Sequence, residues 1–549
     1  MRYSQVVYAY DLSVPMRDGT MLRGDLYRPA ADGKWPVLLL RTVFRKDEMS
    51  RGFGALDPLR FSREGYAVFI QDVRGLGRSD GVFDRFTADG RDGYDTVEWL
   101  AEQPFCNGRV GMIGEYYAGY LQLMTAWEHP PHLAAICPVK TSVSLNRDSN
   151  TRGFMFSSHV GWCLSRQISR LAENRYDADT TEKWLPRLRE WLHGYTGQAA
   201  HIPLAEMPAV KDTPFSLLRD YYTHLVEGYD KEELIRKEGR MMDVSRIRIP
   251  AFYVSGWYDS ARTAMLNHCL DQRMAGVDSR ILVAPWRPGE PTASPDGALN
   301  DFAPETDLQA DMLAWFDYWL RDAETPGFDP IRIGDPESSA RFSGTAWPPE
   351  TETMTLYAAK GGRLVPEAET GEGQASWIHD PEHPLGYRGF GKAPALPDDG
   401  RRVAFLSEPA GKAVTAAGAV EAECWISVTA RDADVMISLG LVRPDGSRFI
   451  LCDGATRIRY AEEGEPRPLL DGEVRRIRIR LGQLFAEIPE GCRLFAEFYG
   501  SAFPKYDVNH GTGERPAEDR KMIRCTETLY FGGAGCPTRI IIPVQKSNY

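Results

Sequence analysis

The sequence predicts an α/β unit with a parallel sheet, broken by an all-helical insertion and followed by a β-sandwich or jelly roll. Three observations carry this. Short apolar runs alternate with helical stretches over the first 145 residues. Residues 146–245 keep a helical period with no strand run between, and from about residue 326 that period gives way to short β-rich segments between Pro- and Gly-rich turns.

The strands come first. VLLLR (Val37 to Arg41), YAVFIQ (Tyr66 to Gln71), VGMIG (Val110 to Gly114) and AAIC (Ala134 to Cys137) are apolar without alternation, the pattern of strands covered on both faces. Helical stretches such as DTVEWLAEQ, from Asp95, lie between them, and β-α-β-α order argues for a parallel sheet. In the insertion, FSSHVGWCLSRQISRL places Phe156, Val160, Cys163, Leu164, Ile168 and Leu171 on one helical face. KWLPRLREWLHGY and LLRDYYTHLVEGY continue the helical pattern. IPAFYVSGWYD (Ile249 to Asp259) and RILVAPW (Arg280 to Trp286) then predict two more sheet strands, and LQADMLAWFDYWLRD a closing helix. VEAECWISVTA, DVMISLGLV, VRRIRIRLG and RLFAEFYG are strand-like segments of the last region. The expected divisions are 1–145 and 246–325 for the α/β unit, 146–245 for the insertion and 326–549 for the β domain. The length, 549 residues, fits roughly three or four units at about 150 residues each.

Composition narrows the function. The chain is 43% apolar and 26% charged, as folded proteins are, and its net charge of −12 with no basic block argues against nucleic acid and anionic membranes as partners. No apolar run is long enough to span a bilayer, and the first residues, MRYSQVVYAYDLS, lack a signal pattern. Nine scattered cysteines without a CxxC are expected to be reduced thiols, which places the protein in the cytoplasm. No histidine pair has metal-ligand spacing such as HExxH, so neither a metal nor another cofactor is expected. The expected partner is a small-molecule substrate or ligand, with self-association into a homo-oligomer left open. Gly75-Leu76-Gly77 lacks the third glycine of a dinucleotide loop, and Asp72 with Arg74 beside it is expected to form a structural ion pair.

Several stretches together resemble one family over nearly the whole length. They are VPMRDGTMLRGDLYRP, QDVRGLGRSDG, DGYDTVEWLAEQPFCNGRVGMIG, GWYD, APW, FDYWL, SEPAG, RPDGSRFILCDGATRIRY and FPKYDVNHGTGE. In this order they resemble the cocaine esterase-like (CocE/NonD) family, related to X-Pro dipeptidyl peptidases and α-amino-acid ester hydrolases. The resemblance implies an α/β-hydrolase domain, a helical cap inserted in it and a C-terminal jelly roll. It also implies a Ser-His-Asp triad, with the serine on a tight G-x-S-x-x-G turn between strand and helix.

The chemistry departs from that pattern. The turn reads Gly114-Glu115-Tyr116-Tyr117-Ala118-Gly119, so Tyr116 stands where the family has its nucleophile. Asp259, after GWYD, matches the family's acid. The histidine position falls at Pro288, in Pro285-Trp286-Arg287-Pro288, and a proline accepts no proton. The tyrosine that assists the family's oxyanion hole is matched by Phe44. Ser-His catalysis needs a hydroxyl within reach of an imidazole, and by the family route this chain supplies neither.

What remains is read position by position. Tyr116 is a hydrogen-bond donor or general acid, since a phenol titrates near 10, or else a plug in the old acyl pocket. Asp259 pairs with Arg287, acts as a desolvated general base, or is a relic bonded to backbone. Glu115 reaches the site or packs beside it. Tyr117 offers its backbone N–H to an oxyanion whatever its side chain does. His159 and Trp162 on the first cap helix, with Trp257 and Trp286, are the remaining pocket candidates, and His379 and His383 are more distant ones. The function expected first is non-hydrolytic proton transfer of lyase, isomerase, dehydratase or cyclase type on a small acyl or carbonyl compound; the alternatives are hydrolysis of an ester, amide or peptide by an unorthodox site and, after it, ligand binding without catalysis.

Overall fold

Strands β1 (Val6–Pro15), β2 (Met21–Pro29), β3 (Trp35–Thr42), β4 (Ala67–Asp72), β5 (Cys106–Glu115), β6 (Leu133–Val139), β7 (Phe252–Gly256), β8 (Arg280–Ala284), β9 (Ile331–Gly334) and β10 (Arg341–Gly344) form one sheet, in the order β1-β2-β4-β3-β5-β6-β7-β8-β9-β10. The computed structural model describes residues 3–49, 56–83, 88–141, 154, 158–173, 175–218, 244–259, 261–284, 308–335, 337–394, 399–462, 466–514 and 517–546. From β4 to β9 every neighbouring pair is parallel, and β1, β2 and β10 add antiparallel edges. All residues of β3, β4 and β7 are buried, as the unbroken apolar runs require of strands covered on both faces.

Helices seal the faces. Leu308–Leu320 buries Trp315 and Phe316, and the Trp315 indole donates to the Ile136 carbonyl at 3.1 Å. Phe316 lies so close to β5 that a Cβ at Gly111 would come within 2.7 Å of its ring. Helices Asp89–Ala101 and Tyr117–Trp127 approach closely where Gly93 faces Thr125, and a Cβ at Gly93 would lie 1.8 Å from the threonine hydroxyl.

The described chain divides into two compact units, one of Met1–Ser144 with Met242–Trp347, the other of Leu145–Met241 with Pro348–Tyr549. This shifts the boundary expected at 326. Ile331–Gly334 and Arg341–Gly344 extend the first sheet past β8, so the strand-rich part of the second unit begins at Pro348. Their alternating pattern suits strands of either sheet, and nothing local marks which one they join.

In the second unit, the described part of the insertion is helical, with Ser158–Ala172 and Ala178–His193 its longest helices. Val160, Cys163, Leu164 and Leu171 are buried there, while Phe156 and most of LLRDYYTHLVEGY lie outside the described residues. This segment clusters with the β strands rather than with the first sheet. The Ala205 N–H donates to the Ala517 carbonyl at 2.8 Å, and the Phe154 ring meets Tyr506 at 4.7 Å between centroids. The twelve strands bury an aliphatic core that includes Ile437, Leu439, Ile477, Ile479, Leu529 and Ile542. Among the described residues no helix is long and apolar enough to cross a membrane.

The turn of the glycine pair differs from expectation. Arg74 pairs with Asp92 at 2.6 Å and Asp18 at 2.7 Å. Asp72 instead accepts the backbone N–H groups of Lys46 at 2.8 Å and Arg78 at 2.9 Å. The chain reverses inside the loop, so sequence neighbours point to different elements.

Candidate active site

The strand-to-helix turn of β5 is preserved. Tyr116 sits between β5 and helix Tyr117–Trp127 with φ 53° and ψ −115°, a conformation that costs an L-residue of order 1–3 kcal/mol. Its N–H donates to the Val139 carbonyl, and its carbonyl accepts from Tyr120, both at 3.0 Å. The two glycines make the turn possible. A Cβ at Gly114 would lie 2.6 Å from that of Ala118, and one at Gly119 would lie 2.6 Å from the Thr141 methyl. Tyr116 is 37% exposed, so the phenol is not sealed into the core.

Asp259 follows β7 on a loop. Its N–H donates to the Gly256 carbonyl at 3.0 Å, and its Oδ1 accepts from the Ala261 N–H at 2.7 Å, just before helix Arg262–Met274. It is 7% exposed. Burial pushes its carboxyl up to about 6; the Ala261 N–H, Lys140 and Arg262 oppose that rise, and Glu115 adds to it. Asp259 thus has both a bond to nearby backbone and a raised proton affinity. Arg287, the proposed ion-pair partner, lies outside the described residues with Trp286 and Pro288.

Two residues not singled out in the sequence join this edge. Lys140 directly follows β6, is 2% exposed, has φ 46° and donates its N–H to the Val254 carbonyl at 2.8 Å. Arg262, 4% exposed, donates to the Trp257 carbonyl at 2.5 Å and lies 4.6 Å from the Trp257 ring centroid. The usable signal for Lys140 was its place just past a parallel strand, the end where α/β sheets gather their sites. Glu115 ends β5 half-buried beside Tyr116. Glu115, Lys140 and Arg262 thus all act on the Asp259 carboxyl, and Tyr116 lies one residue past Glu115 at the end of β5.

Other candidates are placed elsewhere. The Tyr117 side chain is buried, with its hydroxyl donating to Asp89 at 2.8 Å, so its side chain is turned to the core. Phe44 is half-buried, packs against the core under β3 and β4 and donates its N–H to the Thr42 hydroxyl at 2.9 Å. Trp257 is buried, and its indole donates to the Gly334 carbonyl. His159 and Trp162 lie on helix Ser158–Ala172 of the second unit; Trp162 is half-buried, and the His159 side chain is outside the described residues. His379 is buried with Nε2 2.9 Å from the Asn509 carbonyl, and burial pushes its imidazole down. His383 lies on an exposed turn with Asp380 and Glu382, whose ligand atoms are within 4.8 Å of one another; Asp380 already accepts the Glu382 N–H there.

A twisted parallel sheet in this strand order, with a strained residue between β5 and its helix and an acid after β7, defines an α/β-hydrolase fold. Comparison with known proteins agrees. The model described as X-Pro dipeptidyl-peptidase (S15 family) matches residues 18–287, and that of the X-Pro dipeptidyl-peptidase C-terminal non-catalytic domain matches residues 316–541. The chain is 30% identical over 572 residues to cocaine esterase of Rhodococcus sp. (strain MB1 Bresler), covering 98% of each. The chain belongs to this cocaine esterase-like, X-Pro dipeptidyl-peptidase (S15) family. Among solved structures, an aminopeptidase from the marine sediment archaeon Thaumarchaeota archaeon shares the fold with TM-score 0.80 and 20% identity, covering 98% of this chain and 96% of that one. An α-amino acid ester hydrolase does so with TM-score 0.79 and 19% identity, covering 98% and 97%.

Proposed function

We propose that this chain hydrolyses an ester or amide of a small acyl compound, with Asp259 activating water in place of a serine nucleophile. The expectation of lyase or isomerase chemistry finds no support in the comparisons, whereas the relatives are an esterase, an ester hydrolase and an aminopeptidase. The observation that carries the reading is the Asp259 carboxyl, raised by burial to about 6 at the sheet edge that holds Tyr116. A general base works best with a pKa near the operating pH, and an ordinary aspartate is too weak a base for that.

In the proposed step, Asp259 takes a proton as the water oxygen bonds to the acyl carbon. The carbonyl oxygen becomes an oxyanion, to which the Tyr116 hydroxyl and the Tyr117 N–H, in the first turn of its helix, donate. The carbon–heteroatom bond then breaks, and the leaving group takes the proton held by Asp259. Neither a covalent acyl-enzyme nor an imidazole is required.

The test uses p-nitrophenyl acetate, p-nitrophenyl butyrate and alanine p-nitroanilide. Turnover is expected to survive a serine-directed organophosphate, to vanish in Asp259→Asn, and to rise with pH through an apparent pKa near 6. No turnover of any of the three, turnover unchanged in Asp259→Asn, or stoichiometric inactivation by the organophosphate overturns the reading.

A further inference from the structure

In the second unit, a cavity of about 160 Å³ is lined by Leu385, Gly386, Arg388, Arg402 and Tyr499. At about 30 Å³ of liquid volume per water, that is room for roughly five waters or one small ion. One wall is a pair of neighbouring strands, and Leu385, Gly386 and Arg388 come from a connecting segment. Arg402, on Arg402–Ser407, sits opposite Tyr499, on Arg493–Tyr499. Glu497 lies two residues before Tyr499 and so shares its face of the sheet. The Tyr499 hydroxyl is fixed 2.9 Å from that of Ser438.

The charges around this cavity do not balance. Glu497 is 1% exposed and receives Arg388 on one oxygen and Arg448 on the other, the latter at 2.5 Å. Both carboxylate oxygens are engaged before Arg402 is reached. Among the described residues, the carboxylate within 4.0 Å of Arg402 is that of Asp399, which stands at that limit from Nε and outside hydrogen-bond range. Nη1 of Arg388 and Nε of Arg402 are buried N–H groups with no hydrogen-bond partner among the described residues. Burial, and then the neighbouring Arg388, pull the Arg402 guanidinium down from its ordinary value. A buried N–H left unmade is costly, and more so on a cation.

We propose that this cavity binds a small oxyanion, a carboxylate or a phosphate, held between the guanidinium groups of Arg388 and Arg402. A guanidinium presents a planar fork that matches two oxygens of either group, and an anion would supply the acceptors these N–H groups lack. Leu385 and the Tyr499 ring leave one side of the cavity apolar, which suits a carboxylate with a short hydrocarbon tail. The site belongs to the β unit and does not rest on the hydrolase reading.

The test is thermal unfolding and calorimetric titration of the full chain with sodium phosphate, sodium acetate and sodium benzoate, against sodium chloride at equal ionic strength. At least one of the three oxyanions is expected to bind saturably and raise Tm, and their ranking separates a phosphate site from a carboxylate site. Arg402→Gln is expected to weaken that binding at least tenfold while leaving the anion-free protein as stable as before or more so, because it removes an unpaired buried cation. The unmutated protein gives a second readout: the bound oxyanion is expected to shield Arg402 from phenylglyoxal, mapped by mass spectrometry. Absence of saturable binding by all three, equal affinity in Arg402→Gln, or an Arg402 modified equally with and without the anion overturns the proposal.

Discussion

Asp259 and Asp434 are both aspartates nearly out of water, at 7% and 1% exposure, and they are held in opposite ways. Asp434, in the β unit, accepts Arg457 on both oxygens at 2.8 and 2.9 Å and the Asn509 amide at 2.8 Å. Arg457 is itself fully buried and also reaches Asp507 at 3.2 Å. Asp259 accepts one backbone N–H among the described residues, and its cations act at a distance rather than by contact. The first arrangement gives each Asp434 oxygen a hydrogen-bond donor and reads as structure. The second keeps a carboxyl desolvated and easily protonated, which costs stability and suits chemistry.

The largest expected effect breaks the satisfied side. Arg457→Ala leaves Asp434 and Asp507 buried without their cation and is expected to cost about 3–5 kcal/mol, read as a lower urea midpoint. Replacing Arg457, Asp434 and Asp507 together by apolar residues of similar volume should cost far less, since the loss lies in stranded charge rather than in the pair.

On the other side the sign reverses. Asp259 holds a proton up to about 6 in the folded chain, against 3.8 for an ordinary aspartate. The folded state therefore binds more protons than the unfolded state across that window. The stabilisation is complete below about pH 4 and is lost as pH rises to about 6, a span worth about 3 kcal/mol at most. Asp259→Asn is expected to flatten this slope and to make the protein more stable at neutral pH while removing turnover. Urea titrations across the window check both; a slope unchanged by the substitution contradicts the raised proton affinity.

The smallest effect sharpens the comparison at the elbow. Tyr116 carries a positive φ that glycine adopts freely. Tyr116→Gly is expected to gain about 1 kcal/mol in stability, and Tyr116→Phe to change stability little while lowering the turnover of p-nitrophenyl esters. Together they separate the strain of the turn from the work of the phenol.

Much of the scaffold was legible. Val37 to Arg41 and Tyr66 to Gln71 are unbroken apolar runs because their strands are covered on both faces, so composition alone reports their burial. The elbow was legible as well: Gly114 and Gly119 stand where any Cβ would collide, and a close approach of that kind leaves a mark at fixed spacing. The partners of Arg74 were not, because Asp18 and Asp92 lie far from it in sequence. Nor was the membership of Arg341–Gly344, whose alternation fits either sheet.

By itself the amino-acid sequence determined the order of elements and the family, since both are written in local pattern and residue identity. Only the tertiary structure decided which buried charges are paired. It set Lys140, Arg262 and Glu115 around Asp259, and it left Arg402 beside a glutamate already taken by two other arginines. Proton affinity and ion binding depend on desolvation and on distances between groups remote in the chain, and those exist only once the strands have met.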